Sequence, residues 1–219
     1  MPPFDDFLRT HLPPPPARVL EVGCGSGELT TALAVAGYDV LGIDPLAPQG
    51  DRFRRLKLED LEEDEAWDAV VAVRSLHPMR DLDAALDRIV RLLRPEGVLV
   101  VEELGWDLAD ETTLDWLWGQ RRAIAAAGGE EAPESLEELR AEWEADHAGI
   151  HGYVALRAEL AERFDEVAFE PAPFLHRLLG GVASEVLEQA LVDAGAIRAL
   201  GFRFAGRARA SPEGAPRIP

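Results

Sequence analysis

The stretch from Arg18 to Asp44 constrains this chain more than any other. A short apolar run, Arg18–Val22 (RVLEV), passes directly into Gly23-Cys24-Gly25-Ser26-Gly27. Leu29, Ala32, Leu33 and Ala36 then recur at the spacing of one helix face. Asp39–Ile43 reads as a second strand and ends in Asp44-Pro45. Strand, glycine turn, helix and strand in so short a span form a right-handed βαβ unit, the nucleotide-binding half of a doubly wound sheet. Glycines permit positive φ and let the backbone approach a ligand closely. The helix N-terminus turns its free amides and positive dipole end toward negative charge. Asp44, twenty-one residues after Gly23, falls where a carboxylate accepts both hydroxyls of a ribose. The competing reading is a tight structural turn with a helix-capping aspartate. The dinucleotide pattern G-x-G-x-x-G requires glycine at position 28, where Glu28 stands. Glu21, two residues before the first glycine, would oppose a pyrophosphate and suit an ammonium group.

Taken together, VLEVGCGSGELT (Val19 to Thr30) resembles the first motif of class I S-adenosylmethionine-dependent methyltransferases, of the small-molecule, methyltransferase type 11-like kind. The likeness continues in the family's order through GIDP (Gly42 to Pro45), WDAVVAVRSLHP (Trp67 to Pro78) and LLRPEGVLVVEE (Leu92 to Glu103). The resemblance implies an α/β, Rossmann-like, doubly wound and mostly parallel sheet with an antiparallel last strand and a helical cap. It implies S-adenosyl-L-methionine as cofactor. Glu21 would face the methionine ammonium, and the turn of Gly23, Cys24, Gly25 and Gly27 would pack against methionine and ribose. Asp44 would hold the ribose hydroxyls and Pro45 would lie against adenine. Glu59 or Asp60 would stand near the adenine amine, with Lys57 in an alternative register, while Arg74 and Ser75 would flank the cofactor.

Two departures from the family pattern carry expectations. Pro45 to Arg52 is too short for the usual crossover helix, which predicts a degenerate turn and an open adenine edge. Pro78 stands where many relatives carry a second histidine, so a catalytic histidine is not carried over.

Residues 1–16 read as an N-terminal segment, amphipathic through Phe4, Phe7 and Leu8, with Pro13–Pro16 as a stiff extended spacer. Residues 17–219 read as a single domain carrying a helical cap inserted at about 107–164. Asp81 precedes a helix whose apolar face runs from Leu82 to Leu93, and Ser135-x-x-Glu138 is a capping box. Val182 to Ala194 reads as another helix, and Phe202 to Arg207 as the last strand. In the resembling family such an insertion encodes acceptor choice. Candidate catalytic residues are Tyr153, His151, His147 and His77. His147 and His151 are four apart, but the glutamate of H-E-x-x-H is absent, so they read as a solvated or capping pair and no metal is expected. His77 stands either as a neighbour of the cofactor or as a base. Tyr153 either offers its hydroxyl to an acceptor or packs with Leu156 and Leu160.

Charge and cysteine content narrow the remaining classes. Cys24 is the only cysteine, which excludes an intramolecular disulfide and a thiolate zinc cluster. The apolar run Ala69–Val73 falls far short of the ~20 residues of a membrane span, so no membrane partner and a cytoplasmic location are expected. Forty-one acids against 22 bases give a net charge of −19, which repels a nucleic-acid backbone. The acidic run Glu59–Asp68 lacks the glycine of a calcium loop and reads as solvated chain. RSLH (Arg74 to His77) stands where resembling enzymes acting on amino groups carry Asp/Asn-Pro-Pro-Tyr/Phe. The expected activity is methyl transfer to a small-molecule acceptor. The alternative is a binding or regulatory protein that keeps fold and cofactor without turnover.

Overall fold

A computed structural model describes residues 3–62 and 66–209. Among the described residues one sheet contains β1 (Arg18–Val22), β2 (Asp39–Ile43), β3 (Phe53–Arg54), β4 (Trp67–Val73), β5 (Leu93–Leu104), β6 (Phe164–Ala172) and β7 (Gly201–Ala208). Their spatial order is β3-β2-β1-β4-β5-β7-β6. The β1–β2, β1–β4, β2–β3 and β4–β5 pairs are parallel, and β7 runs antiparallel to both β5 and β6. The helices are α1 (Pro3–His11), α2 (Glu28–Val35), α3 (Leu82–Leu92), α4 (Glu111–Ala126), α5 (Leu136–Asp146), α6 (Tyr153–Arg163) and α7 (Val182–Asp193). The expected doubly wound sheet with an antiparallel last strand is the observed one. As the short Pro45–Arg52 segment predicts, β2 reaches β3 without a helix, through backbone bonds from Gly42 N to Arg52 O (2.9 Å) and from Asp44 N to Arg54 O (3.3 Å).

Alternation along the strands builds two cores, because successive side chains leave opposite faces of a strand. On one face Leu20, Val70, Leu99 and Val101 meet Leu86 and Ile89 of α3 and Leu156 and Leu160 of α6. On the other, Val19, Val71, Val98 and Val100 meet Leu33 of α2 and Phe7, Leu8 and Leu12 from α1 and the residue after it. Coverage on both faces explains why β4 is a near-continuous apolar run. The Pro13–Pro16 run does not extend the chain as a spacer. Ala17 N bonds back to Pro14 O (3.3 Å), so the segment turns α1 onto the sheet.

The apolar face of α2 also differs from the expected Leu29–Ala32–Leu33–Ala36 stripe. Ala32 and Ala36 face solvent, and Thr30 and Leu33 are the buried residues. Thr30 turns inward because its hydroxyl donates to the buried Glu21 carboxylate. One polar contact rotates the helix against its hydrophobic periodicity.

The cap forms a third cluster, in which Leu114 and Leu117 of α4 and Leu139 and Trp143 of α5 pack with Leu104, Leu175 and Leu200. The Ser135 hydroxyl accepts the Glu138 amide (3.1 Å), while Glu138 accepts the amide of Glu134 (2.6 Å), one residue earlier than a reciprocal capping box requires. At the neck of the cap Asp107 accepts the amides of Tyr153 and Val154 that open α6. Gly152 is required beside it, since a Cβ there would lie 2.5 Å from the Asp107 carboxyl carbon. Arg163, at the far end of α6, binds Asp83 and Asp87 of α3 and Glu159 of its own helix. No helix among the described residues is long and apolar enough to cross a membrane.

Candidate functional site

The parallel strands reverse their order between β1 and β4, and open α/β sheets bind ligands in the crevice at such a point, outside the carboxyl ends of the strands. A cavity of about 730 Å³ lies there. That is within the range of roughly 300–1,000 Å³ usual for small-molecule sites. Val22, Gly23, Asp44, Pro45, Glu59, Arg74 and Ser75 line it, together with Ala84, Ala85 and Arg88 of α3.

The glycine turn is tied down before any ligand arrives. The Gly23 and Cys24 amides donate to Ile43 O at 2.8 and 3.1 Å, and the Gly27 amide donates to Cys24 O at 2.8 Å. Gly23 adopts φ 76°, and a Cβ on it would sit 2.4 Å from the Ser75 Cβ, so only glycine lets β1 and the end of β4 approach this closely. Gly25 donates to Asp44 Oδ2 (3.2 Å), and Leu46 N donates to Asp44 Oδ1 (2.7 Å). These bonds orient the Asp44 carboxylate at the cavity edge and leave each oxygen a further acceptor site. Gly27 packs its bare Cα against Phe53.

Glu21 lies below the turn, 3 % exposed, with the Thr30 hydroxyl bonded to it. Burial pushes its carboxyl up to about 7, against the opposing Thr30 hydrogen bonds, and repulsion from Asp44 adds to the rise. Cys24 turns inward against Gly42, and burial, then Glu21 and Asp44, push its thiol up to about 11. It is therefore a packing residue without thiolate character. The Ser75 hydroxyl is buried at the cavity and has no hydrogen-bond partner among the described residues.

An adenosyl amino acid, such as the sequence resemblance implies, meets complementary groups here. A buried acid destabilised as an anion suits an incoming amine. The Asp44 carboxylate suits a diol, and the open space over Gly23 with the orphaned Ser75 hydroxyl suits a closely approaching polar ligand. The residues present fit the group.

The sequence-named residues separate into two sets. Gly23, Asp44, Pro45, Glu59, Arg74 and Ser75 line the cavity, with Glu21, Cys24, Gly25 and Gly27 immediately beneath or beside them. Between the two acids named for the adenine side, Glu59 lines the cavity and Asp60 does not, and Lys57 lines it 3.4 Å from Glu59. Residues 63–65 of the acidic run lie outside the described residues.

The cap candidates are placed elsewhere. His147 caps α5 by donating to Trp143 O (2.6 Å) and stacks on Trp106. His151 donates from Nε2 to Met79 O (2.8 Å), and its amide bonds to His77 O (2.9 Å), which joins the end of the cap to the loop after β4. The two histidines share no helix. The Tyr153 ring packs edge-on to Phe202 and Phe169 and does not line the cavity.

His77 has a partner that the sequence reading missed. Its Nδ1 lies 2.6 Å from Oε2 of Glu103, a fully buried carboxylate that also accepts the Leu76 amide (2.6 Å) and the Leu104 amide (3.2 Å). A carboxylate acceptor places the imidazole proton on Nδ1 and leaves Nε2 as a proton acceptor. The signal for Glu103 was two acids ending an apolar strand, one of which must point to each covered face. Thr30 was missed for want of any local pattern.

A family model described as a methyltransferase domain matches residues 3–172. Among curated proteins, the ubiquinone biosynthesis O-methyltransferase of Xylella fastidiosa is 35% identical over 120 residues, which is 48% of each chain. The protein of the same name from Rhodopseudomonas palustris is 31% identical over 100 residues, or 40% of each. The chain thus spans under half the length of these relatives. Among solved structures, an S-adenosylmethionine-dependent methyltransferase from Mesorhizobium loti superposes with a TM-score of 0.59 at 16% identity, covering 92% of this chain and 96% of that one.

Proposed function

The chain belongs to the methyltransferase-domain family, and from that premise we propose that it transfers a methyl group from S-adenosyl-L-methionine to a small-molecule acceptor. The observation that carries this reading is the Glu21–Gly23–Asp44 constellation at the switch point of the sheet. Glu21 would take the amine, Asp44 the ribose hydroxyls and Glu59 the adenine side. The backbone at Gly23 and the Ser75 hydroxyl would meet the middle of the molecule. When bound, the cofactor supplies an electrophilic methyl group for in-line displacement, so holding donor and acceptor in near-attack geometry accounts for most of the acceleration. Where the acceptor is a hydroxyl or an ammonium, a base adds to this. His77 fills that role in this reading, with Glu103 holding its Nδ1 proton and ring orientation. The O-methyltransferase relatives support a hydroxyl acceptor. The oriented His77, between Ser75 and Pro78 of the cavity lining, favours this reading over a non-catalytic binding protein. The free, buried thiol of Cys24 is compatible with a cytoplasmic location.

Calorimetry with S-adenosylmethionine and S-adenosylhomocysteine, followed by a metabolite screen for methyl uptake, tests the reading. Asp44→Ala removes charge-assisted hydrogen bonds worth about 1.5–3 kcal/mol, or about ten- to a hundredfold in affinity. His77→Asn is expected to leave cofactor affinity unchanged and to lower turnover by about a hundredfold, the scale of general-base assistance. Equal titration curves for Asp44→Ala and the parent would remove the ribose assignment. Binding of NADH in place of S-adenosylmethionine would overturn the reading as a whole.

A further inference from the structure

A second polar cluster begins where the cofactor cavity ends, at the carboxyl ends of β4 and β5 and the amino end of β7. Its anchor is Glu102, a buried carboxylate on the face of β5 opposite Glu103. Arg203 Nε donates to Glu102 Oε2 at 3.0 Å, and Arg177 Nη2 donates to Oε1 at 2.8 Å. One carboxylate therefore carries two guanidiniums. Glu170, 3.7 Å from Arg203 and half exposed, is the remaining acid of the cluster. Arg74 joins the cluster through its backbone amide, which donates to the Glu102 carbonyl at 2.8 Å. Arg74 lines the cavity, and its guanidinium makes no hydrogen bond among the described residues.

Both exposed arginines are held deliberately. Arg74 adopts φ 52°, a left-handed backbone that a non-glycine residue keeps only where surrounding structure enforces it. Arg177 follows a turn fixed by Glu188, a fully buried carboxylate accepting the amides of Phe174 (2.7 Å), Leu175 (2.8 Å) and His176 (2.6 Å). The Arg177 side chain is 34% exposed beyond its bond to Glu102. Burial, and then the charge of Arg177, lower the pKa of Arg74 against the opposing pull of Glu102 and Glu103. In a chain of net charge −19, an unpartnered guanidinium at the cavity, with the partly exposed Arg177 close enough to repel it, is a local concentration of positive charge.

We propose that Arg74 and Arg177 form an anion clamp for the methyl acceptor, so that the acceptor carries a carboxylate or phosphate group near the position that is methylated. This rests on the methyl-transfer reading above. Paired guanidiniums suit such groups because their planar donors match two oxygens at once. The clamp also gives selectivity, because a neutral acceptor would leave the Arg74 guanidinium without a partner at the cavity.

Calorimetric titration of the S-adenosylhomocysteine-saturated chain with inorganic phosphate tests the clamp. Single-site binding in the millimolar range is expected. Arg74→Gln and Arg177→Gln should each weaken it by about fivefold or more, and Arg177→Lys by less, because the charge remains while the fork is lost. Arg177→Gln should leave the affinity for S-adenosylhomocysteine and the melting temperature unchanged. Absence of binding up to about 50 mM phosphate, corresponding to less than about 2 kcal/mol, would overturn the proposal. Binding that both glutamine variants retain would do the same. A third contrary result is phosphate that binds the cofactor-free chain and is displaced by S-adenosylhomocysteine, which would assign the arginines to the cofactor's own carboxylate. Failure of S-adenosylhomocysteine to bind would count against the methyl-transfer reading instead. The phosphate titration of the free chain would then still decide the clamp.

Discussion

A carboxyl group shut away from water keeps its proton until something positive arrives beside it, and Glu21 is such a group. Its folded pKa, about 7, lies above the 4.5 of an ordinary glutamate. A group of this sign stabilises the fold while protonated. Its contribution is fully present below about 4.5 and is lost as pH rises through 7. A shift of that size corresponds to roughly 3 kcal/mol. Glu21→Gln, which mimics the protonated form and keeps an acceptor for Thr30, should therefore melt higher than the parent at pH 8 and like it at pH 5. Ligand binding is expected to show the converse. A cationic amine favours the carboxylate, so S-adenosylmethionine should bind more tightly as pH climbs from 5 toward 7, and Glu21→Gln should bind weakly with a flat profile. A parent profile as flat as the variant's would remove Glu21 from the amine site. At this scale the sequence was informative where chemistry is local: Glu21, Gly23 and Asp44 are read from one short motif. It was uninformative where a residue's meaning lies in a distant partner. Glu103 is 26 residues from His77, and Glu102 is 75 from Arg177.

Among the elements, α1 shows how much a short amphipathic helix can be asked to cover. Phe7 and Leu8 are each 4% exposed and, with Leu12, close the sheet face that carries Val19, Val71, Val98 and Val100. Phe7→Ala removes a buried ring and leaves a cavity, which costs about 3–5 kcal/mol. The melting temperature should fall accordingly, and calorimetry checks it. A loss below about 1 kcal/mol, the range of surface substitutions, would mean that α1 detaches freely. Element positions were legible because apolar periodicity, Asp81 before α3 and Ser135 before α5 are local signals. Orientation was less so, as α2 shows. A periodic stripe predicts Ala32 and Ala36 inside, but a helix turns toward whichever contact is most costly to leave unmade. For α2 that contact is the Thr30 hydroxyl on a buried carboxylate.

For the molecule as a whole, the strand order that creates the switch point is a property of the folded sheet, but the doubly wound, mostly parallel architecture with its antiparallel last strand was legible from the βαβ unit and the family resemblance. The cap was not. Its helices could be recognised, but whether His147, His151 or Tyr153 reached the cavity depended on how the cap sits, which no periodicity encodes. Net charge is a property of this scale too. At −19, with arginines largely engaged by neighbouring acids such as those around Arg163, the described residues offer no continuous cationic track. Retention of random-sequence DNA or RNA should be absent at ~150 mM salt, where binding depends on released counterions. Submicromolar retention in a filter assay would contradict this.

The clasp at the neck of the cap has a consequence for how such chains diversify. Asp107 and Gly152 bring the two ends of the inserted segment together at one carboxylate, so the chain leaves and re-enters the sheet at neighbouring points. The segment between them, from 108 to 151, still leans on the body of the fold through Leu114, Leu117, Leu139 and Trp143, which pack on Leu104, Leu175 and Leu200. Changes within that segment that keep these contacts are therefore expected to leave the register of β5 against β7 and the start of α6 where they are.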